Sequence, residues 1–215
     1  MLRAIVNILP ALVLTAFLFP ATCYAASENA EHEARLGLAR SMANTVLSIL
    51  HDQKQPTENR KELLMRGFAN VVDIDWIARF VLGNAWRTAT EEQRAEYTAL
   101  YRKYLLQMYV DTYTQNNGRK ITDMKVLDVK DADENRFTTT TELMLSTGES
   151  MQVDYLAAGN AGKYKVIDVM IEGVSLLATH RSEFSKIASA RGVEAVIAAL
   201  ENKLSASESF NVSMK

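Results

Sequence analysis

Apolar residues in the N-terminal half of the chain recur every three to four positions, which is the spacing of an amphipathic helix. One such stripe covers residues 31–51 and ends before Pro56, and a second follows Thr57. A shorter stripe begins at Asp73 and stops at Gly83, a residue type that commonly ends helices. The pattern therefore predicts three helices before residue 84.

The longest predicted helix begins at a capping box, Thr90-Glu-Glu-Gln93, in which the threonine hydroxyl and the glutamine satisfy early backbone amides reciprocally. It ends at the Asn-Asn-Gly sequence of residues 116–118. Its apolar stripe is rich in aromatic residues: Tyr97, Leu100, Tyr101, Tyr104, Leu105, Met108 and Tyr109.

Beyond Gly118 the apolar period changes to two, as in a half-buried strand. Four runs, residues 120–129, 136–145, 149–157 and 163–171, are separated by short polar turns, which predicts an antiparallel meander. The alternation predicts a core face made of Phe137, Thr139, Thr141, Leu143 and Leu145 in the second run and Met151, Val153, Tyr155 and Ala157 in the third.

The fourth run is apolar on both faces, as expected of a strand that is covered on both sides. Strict alternation predicts Val166 and Met170 on one face and Ile167, Val169 and Ile171 on the other. Two helices, residues 174–190 and 192–204, follow, and Ser175 stands where the first needs an N-cap. We expect a disordered Ser-rich tail at residues 206–215. The predicted fold is α+β, with a four-stranded twisted antiparallel sheet wrapped by helices 30–116 and 174–204.

Residues 1–25 have the features of a secretory signal peptide: Arg3, an apolar run over residues 8–19 and a small-residue cleavage site after Ala25. A retained membrane anchor is the alternative, but Pro10 and Pro20 shorten the apolar run to signal-peptide length. We therefore expect an exported, periplasmic protein whose mature domain covers residues 26–205. Cys23 is the only cysteine and would leave with the leader, so core burial must stabilise the mature chain.

Charge and motif patterns exclude several classes of function. The formal net charge is −2 and both signs are interspersed, so no nucleic-acid footprint is present. The three histidines, His32, His51 and His180, lack metal-ligand spacing, and the acidic residues of 123–134 lack the glycine and terminal glutamate of an EF-hand, which favours a solvated turn. The sequence predicts no metal and no cofactor.

Two carboxylates, Asp154 and Asp168, lie within predicted strands, where partial burial would suit a general acid or base. Neither has a nucleophile, base or metal ligand near it in sequence, so structural hydrogen bonding is the favoured interpretation and no catalytic residue is predicted. The surplus of apolar and aromatic residues allows two interpretations, a filled core or an apolar ligand cavity. Periodicity does not separate them.

Two motif blocks carry a family resemblance. Residues 168–184 read D-V-x-I-x-G-V-S-L-x-x-x-x-R-S-x-F, and residues 82–87 read Leu-Gly-Asn-Ala-Trp-Arg, followed by Thr90, Gln93 and Tyr97. Both resemble segments of MlaC-type proteins, the periplasmic phospholipid carriers also called the toluene-tolerance family. Tyr97 and Tyr164 replace the more usual Phe and Trp, and His180 stands where Tyr is common.

The resemblance implies a sheet of the nuclear-transport-factor-2 type around an apolar pocket that binds phospholipid. It also implies a monomer that exchanges lipid between an outer-membrane lipoprotein and porin complex and the substrate-capturing subunit of an inner-membrane ABC transporter. A hopanoid-associated branch is similar, so a triterpenoid ligand is an alternative. The residues expected to line the pocket are Trp76, Phe80, Tyr101, Tyr104, Leu105, Met108, Phe137, Thr139, Met151, Val153, Tyr155, Val166, Met170, Leu177 and Phe184.

Two other classes of function remain open from sequence. A secreted hydrolase or isomerase on the same scaffold would use Asp154, Asp168 or His180 as acid or base. An envelope adaptor with a filled core would bind no ligand. A polar pocket around those three residues would favour the enzyme, and an apolar gap between sheet and helices would favour the carrier.

Overall fold

A computed structural model describes residues 21–114, 119–133, 135–160 and 163–213. Residues 1–20, most of the predicted signal peptide, lie outside the described residues. The chain folds as α+β: helices precede and follow an antiparallel sheet, and pack against one of its faces. None of the helices in the described ranges is both long and apolar enough to cross a membrane.

The helices predicted before the sheet are all present, with nearly the predicted bounds except that the first begins at Ala21 rather than at residue 31. They are α1 (Ala21–His51), α2 (Thr57–Val71), α3 (Ile74–Leu82) and α5 (Glu91–Thr114), and a one-turn helix, α4 (Ala85–Thr88), adds to them. Asp73 caps α3 by accepting a hydrogen bond from the Trp76 amide at 3.1 Å. The capping box of α5 is formed in both directions, between Thr90 and Gln93, at 2.8 and 3.2 Å.

The strands form an antiparallel meander in sequence order, β1 (Ile121–Asp133), β2 (Arg136–Leu145), β3 (Ser150–Asn160), β4 (Lys163–Ile171) and β5 (Val174–Ser175). The sheet thus has five strands where the sequence predicted four. The fifth forms because a tight turn at Glu172 and Gly173, with φ of 49° and 78°, returns Ser175 to pair with Met170. Gly173 suits this turn, since only glycine adopts positive φ at no steric cost.

Strand β1 is the open edge of the sheet and is irregular. Its pairing with β2 shifts register at three points, and each shift leaves one β1 residue without a partner in the ladder. Leu127 lies at one of these bulges and is exposed. Helix α1 packs along β1, and the imidazole of His51 hydrogen-bonds the Ile121 carbonyl at 3.0 Å.

A bulge in β4 changes which residues share a face. Leu156 pairs with Asp168 but the next residue, Ala157, pairs with Val166, so Ile167 is an extra residue in the ladder. Val166 therefore lies on the face of Val169 and Ile171, while Met170 lies opposite, beside Asp154. The prediction that Val166 and Met170 share a face is wrong, because strict alternation does not survive an inserted residue.

Two helices complete the chain, α6 (Leu176–Arg191) and α7 (Val193–Ser213). Ser175 caps α6 as predicted, accepting a hydrogen bond from the Ala178 amide at 2.9 Å. Gly192 separates the two helices with φ of 83°. Helix α7 continues past its predicted end at residue 204, so the predicted tail is helical as far as Ser213. Residues 205–213 contain neither glycine nor proline to stop it.

The apolar residues form two clusters on the same sheet face. The main core joins one end of the sheet to α3, α5, α6 and α7, with Tyr97, Tyr101 and Phe184 fully buried within it. A smaller group, which we call the satellite cluster, consists of Leu36 on α1 with Val129, Phe137 and Ala157 at the other end of the sheet. The strip of sheet between the two clusters carries the buried polar side chains Thr139 and Thr141.

Candidate functional site

Most of the residues predicted to line a ligand pocket lie together in or against the main core. They come from α3, α5, α6 and the core face of β3 and β4, which shows that the elements converge on one apolar region. These residues are Trp76, Tyr101, Tyr104, Leu105, Met108, Met151, Val153, Tyr155, Val166, Leu177 and Phe184.

Four predicted residues lie elsewhere. Phe137 belongs to the satellite cluster, and Thr139 is buried on the core face, paired with Tyr155. Met170 lies on the opposite face of the sheet because of the β4 bulge. Phe80 is on the surface with 36% of its area exposed, because the buried side of α3 is formed by its neighbours in the helix.

A row of hydroxyl groups crosses the core face between the two clusters. Thr139 and Thr141 on β2 are buried there, and the Thr141 hydroxyl donates to the Val153 carbonyl at 2.8 Å. Beside them the hydroxyls of Tyr155 on β3 and Tyr113 on α5 hydrogen-bond each other. Burial raises the pKa of both phenols, so both are neutral hydrogen-bonding groups.

The C-terminal part of α5 is held over this row by aromatic contacts. Phe68 on α2 packs against Tyr109 and Tyr113, with ring centroids 5.6 and 5.3 Å apart. Tyr113 was not among the predicted site residues. It continues the α5 stripe four positions beyond Tyr109, so the helical period carried the signal.

A second polar contact lies inside the main core. The Tyr101 hydroxyl is 2.8 Å from Nδ1 of His180, and the His180 ring also packs against Tyr104 and Phe184. Burial lowers the pKa of His180 to about 4, so the imidazole is neutral at pH 7. A neutral ring can accept the tyrosine proton at Nδ1 if its own hydrogen is on Nε2.

The two strand carboxylates differ in their hydrogen bonding: both oxygens of Asp168 have a partner, and one oxygen of Asp154 does. Asp168 accepts hydrogen bonds from the Ser175 hydroxyl at 2.6 Å and the Leu177 amide at 3.0 Å, which ties β4 to the start of α6. Asp154 accepts one from Gln152, and its other oxygen is buried without a partner. Within the described ranges, no hydrogen bond joins Asp154, Asp168 and His180 to one another, and no group of three His, Cys, Asp or Glu side chains could hold a metal.

An arginine that sequence reasoning missed closes the satellite cluster. The Arg35 guanidinium lies over the rings of Phe137 and Tyr164, 4.8 and 5.2 Å from their centroids. It bonds the Tyr164 hydroxyl at 3.1 Å and forms ion pairs with Glu31 and Asp131. Only the Glu31–Arg35 spacing was visible in sequence, and it indicates an ordinary helix pair.

Comparison with known proteins decides the family. The family model described as MlaC protein matches residues 40–202, from within α1 to within α7. The chain belongs to the MlaC family. The match covers every predicted pocket residue, which confirms the resemblance seen in the two motif blocks.

A solved structure supports the same MlaC fold. The phospholipid-binding protein from Ralstonia solanacearum, determined in complex with a phospholipid, superposes with a TM-score of 0.67. It is 17% identical in sequence, and the match covers 80% of this chain and 98% of that one. At this identity the match establishes a shared fold. The α+β architecture predicted from sequence is therefore confirmed for this MlaC family member.

Proposed function

We propose that this protein is a periplasmic phospholipid carrier whose ligand lies between the core face of the sheet and helices α3, α5 and α6. The observation that carries the proposal is the convergence of the predicted pocket residues on one apolar region crossed by hydroxyl groups. Apolar walls with a few polar groups are typical of lipid and small-molecule sites. The MlaC family match and the phospholipid in the Ralstonia solanacearum structure support the same ligand class.

The residues around the hydroxyl row suit a flexible apolar ligand. Met108 and Met151 are half-buried against the main core, and methionine side chains adapt to irregular apolar shapes. Tyr113 and Tyr155 offer apolar rings with polar tips that can exchange their mutual hydrogen bond for one to a ligand oxygen. A triterpenoid of the hopanoid type would use the same walls, and identification of the bound molecule separates the two ligands.

The energetics of lipid transfer require docking. Burial of two acyl chains of ~16 carbons at ~0.8 kcal/mol per CH₂ gives a gross driving force on the order of 25 kcal/mol. Release into water is therefore far too slow for transport. A carrier must instead dock on a membrane complex and exchange lipid through a shared apolar channel. The partners we propose are an outer-membrane lipoprotein and porin complex and an inner-membrane ABC transporter with its substrate-capturing subunit.

The hydrogen bonds made by the candidate acid–base groups support a binding role rather than catalysis. Asp168 is engaged in capping α6 and His180 is a neutral partner of Tyr101 inside the core. Each group thus has a structural role that explains its burial. We propose that the protein is not an enzyme, and that residues 1–25 direct it to the periplasm and are removed.

Native mass spectrometry of the protein purified from the periplasm tests the proposal. We expect a mass increment equal to a phospholipid. The variants Met108→Trp and Met151→Trp add bulk at the proposed walls and should lower lipid occupancy, whereas Met170→Trp, a half-buried methionine on the opposite sheet face, is the matched control.

Two outcomes would contradict the carrier proposal. One is a lipid-free protein that also takes up no lipid from vesicles. The other is equal occupancy in all three tryptophan variants, which would show that the core face of the sheet does not line the ligand site. Circular dichroism of each variant verifies that the fold is retained before occupancy is compared.

A further inference from the structure

A groove lies on the surface between α3 and α6, away from the hydroxyl row. Its volume is about 560 Å³. Phe80 lines it from α3, and α6 contributes Ala178, Arg181, Ser182, Ser185 and Lys186, which follow one side of that helix. Asp168, Ser175 and Leu177 complete the lining, and the remaining α6 side chains are small except for the two cations, so the groove is concave between them. We call it the α3–α6 groove.

Phe80, which lines one wall of the α3–α6 groove, is held between two other side chains. Trp76 and Phe80 lie one helical turn apart, with centroids 5.1 Å apart and an interplanar angle of 15°. The Arg181 guanidinium lies 4.3 Å from the centroid of the Phe80 ring and donates a hydrogen bond to the Phe80 carbonyl. Side chains held in this way lose little further freedom when a partner binds.

The α3–α6 groove presents positive charge. Among the ion pairs of the described residues, none includes Arg181 or Lys186, the two cations that line the groove. Asp168 also lines the groove, but it is only 8% exposed and accepts hydrogen bonds from the Ser175 hydroxyl and the Leu177 amide, so the two cations outnumber it. Nearby, Asp75 pairs with Arg102 at 2.6 Å and Glu183 pairs with Lys203 at 3.0 Å. This local surplus of cations occurs in a chain whose formal net charge is −2.

We propose that the α3–α6 groove is a docking site for an acidic surface of a partner protein. Tryptophan, other aromatic residues and arginine are enriched at the centres of protein interfaces, and this combination occurs at the exposed wall of the groove. The concave floor accepts an apolar side chain of the partner, while Arg181 and Lys186 meet carboxylates around it. The inference rests on the proposed carrier function only in that a carrier must dock on a protein.

A protein partner fits the groove better than a lipid surface does. An aromatic residue that anchors a protein to a bilayer projects its ring into the interface. The Phe80 ring instead packs against Trp76 and is covered by Arg181. Only part of the ring is exposed to a partner, and the ring does not project from the surface.

The experiment measures binding of the mature protein to envelope vesicles that retain their membrane proteins, and to protein-free phosphatidylglycerol vesicles. A photoreactive residue at Ser182 reports contact within the groove. We expect crosslinking to an envelope protein, and about tenfold weaker binding for Arg181→Glu/Lys186→Glu and for Phe80→Ala. Lys61→Glu/Lys125→Glu changes charge equally, at a half-buried position on α2 and an exposed one on β1 that match Arg181 and Lys186 in exposure, and should bind normally.

Unchanged vesicle binding by Arg181→Glu/Lys186→Glu would overturn the proposal, and so would equal binding of the wild type to the protein-free vesicles, which would indicate a lipid surface. Lipid occupancy measured by native mass spectrometry separates this inference from the proposed function. A variant that keeps its lipid but loses docking supports the groove, whereas a wild type without lipid that still docks contradicts only the carrier proposal.

Discussion

The Tyr101 hydroxyl and Nδ1 of His180 satisfy each other inside the main core, at a separation of 2.8 Å. Both side chains are buried, and a buried polar group without a partner costs about 1–3 kcal/mol. The pair therefore lets two polar rings occupy an otherwise apolar junction of α5 and α6. His180 stands where MlaC-type proteins commonly have tyrosine, so this chain has placed a titratable group in its core.

The first prediction concerns acid stability. Burial lowers the pKa of His180 to about 4, whereas an unfolded histidine has a pKa of about 6.5. Folding thus disfavours protonation of the His180 imidazole. The contribution of His180 to stability is complete above about pH 6.5 and is lost as the pH falls through about 4. The loss should reach about 3 kcal/mol in the free energy of unfolding.

Urea denaturation of the wild type and His180→Tyr, followed across this pH range, measures the effect. Tyrosine keeps a buried ring with a hydroxyl near Tyr101 but does not titrate below neutral pH. The variant should lose less stability on acidification than the wild type does. Parallel pH profiles for the two proteins would mean that His180 is not a buried neutral histidine.

The second prediction is that replacement of a strand carboxylate by asparagine lowers the free energy of unfolding at Asp168 but not at Asp154. Asp168 accepts two hydrogen bonds at the start of α6, and an asparagine can accept only through its single carbonyl oxygen. Asp168→Asn should therefore lower the free energy of unfolding by about 1–3 kcal/mol. Asp154 has a buried oxygen without a partner, so Asp154→Asn should be neutral or slightly stabilising.

Thermal or urea unfolding of both variants checks this prediction. Ser175→Ala provides an internal reference, since it removes the hydroxyl that both donates to Asp168 and caps α6. A comparable loss of stability in Asp154→Asn and Asp168→Asn would show that the assigned hydrogen bonds do not distinguish the two sites.

The third prediction compares two Glu–Arg pairs with the same helical spacing. Arg35, whose side chain is 15% exposed, lies over two aromatic rings, whereas Arg66 is 71% exposed and, among the described residues, bonds only Glu62. Arg35→Ala should destabilise the satellite cluster by about 1–3 kcal/mol, because it removes cation–π contacts and a partly buried hydrogen bond. Arg66→Ala should cost no more than about 0.5 kcal/mol.

Hydrogen exchange locates the effect. In Arg35→Ala, amides of α1 near Leu36 and of β2 near Phe137 should exchange faster, while those around Leu105 in the main core should not. Uniformly faster exchange would show instead that the satellite cluster and the main core unfold as one unit.

The order of the long elements was predictable because each carries its own period, cap or turn, whereas the one-turn α4 and the two-residue β5 are too short to show one. The Thr90–Gln93 capping box and the Ser175 cap are local signals, and both form in the structure. The β4 bulge was not predictable, because Ile167 is as suitable for a strand as its neighbours and its residue type does not mark it as the extra residue in the ladder. Faces assigned beyond such a point are reversed, as happened for Met170.

Residues of the candidate site were likewise predictable where a local sequence pattern fixes their position, and not predictable elsewhere. Residues on the α5 stripe reached the expected region because one helical period fixes one face. Phe80 did not, because the buried side of α3 includes Ile77 and Val81 and leaves Phe80 facing the α3–α6 groove. The Arg35 contacts join residues about a hundred positions apart, a separation over which no sequence period operates.

The irregular edge strand has a consequence for the protein in a crowded compartment. A straight, unpaired strand offers a row of backbone donors and acceptors to which another chain can add. The three bulges of β1 interrupt that row, and α1 packs along the strand. The β1 edge therefore offers a second copy no continuous template for adding a strand. At high concentration the protein is thereby protected against polymerising through this edge of its sheet.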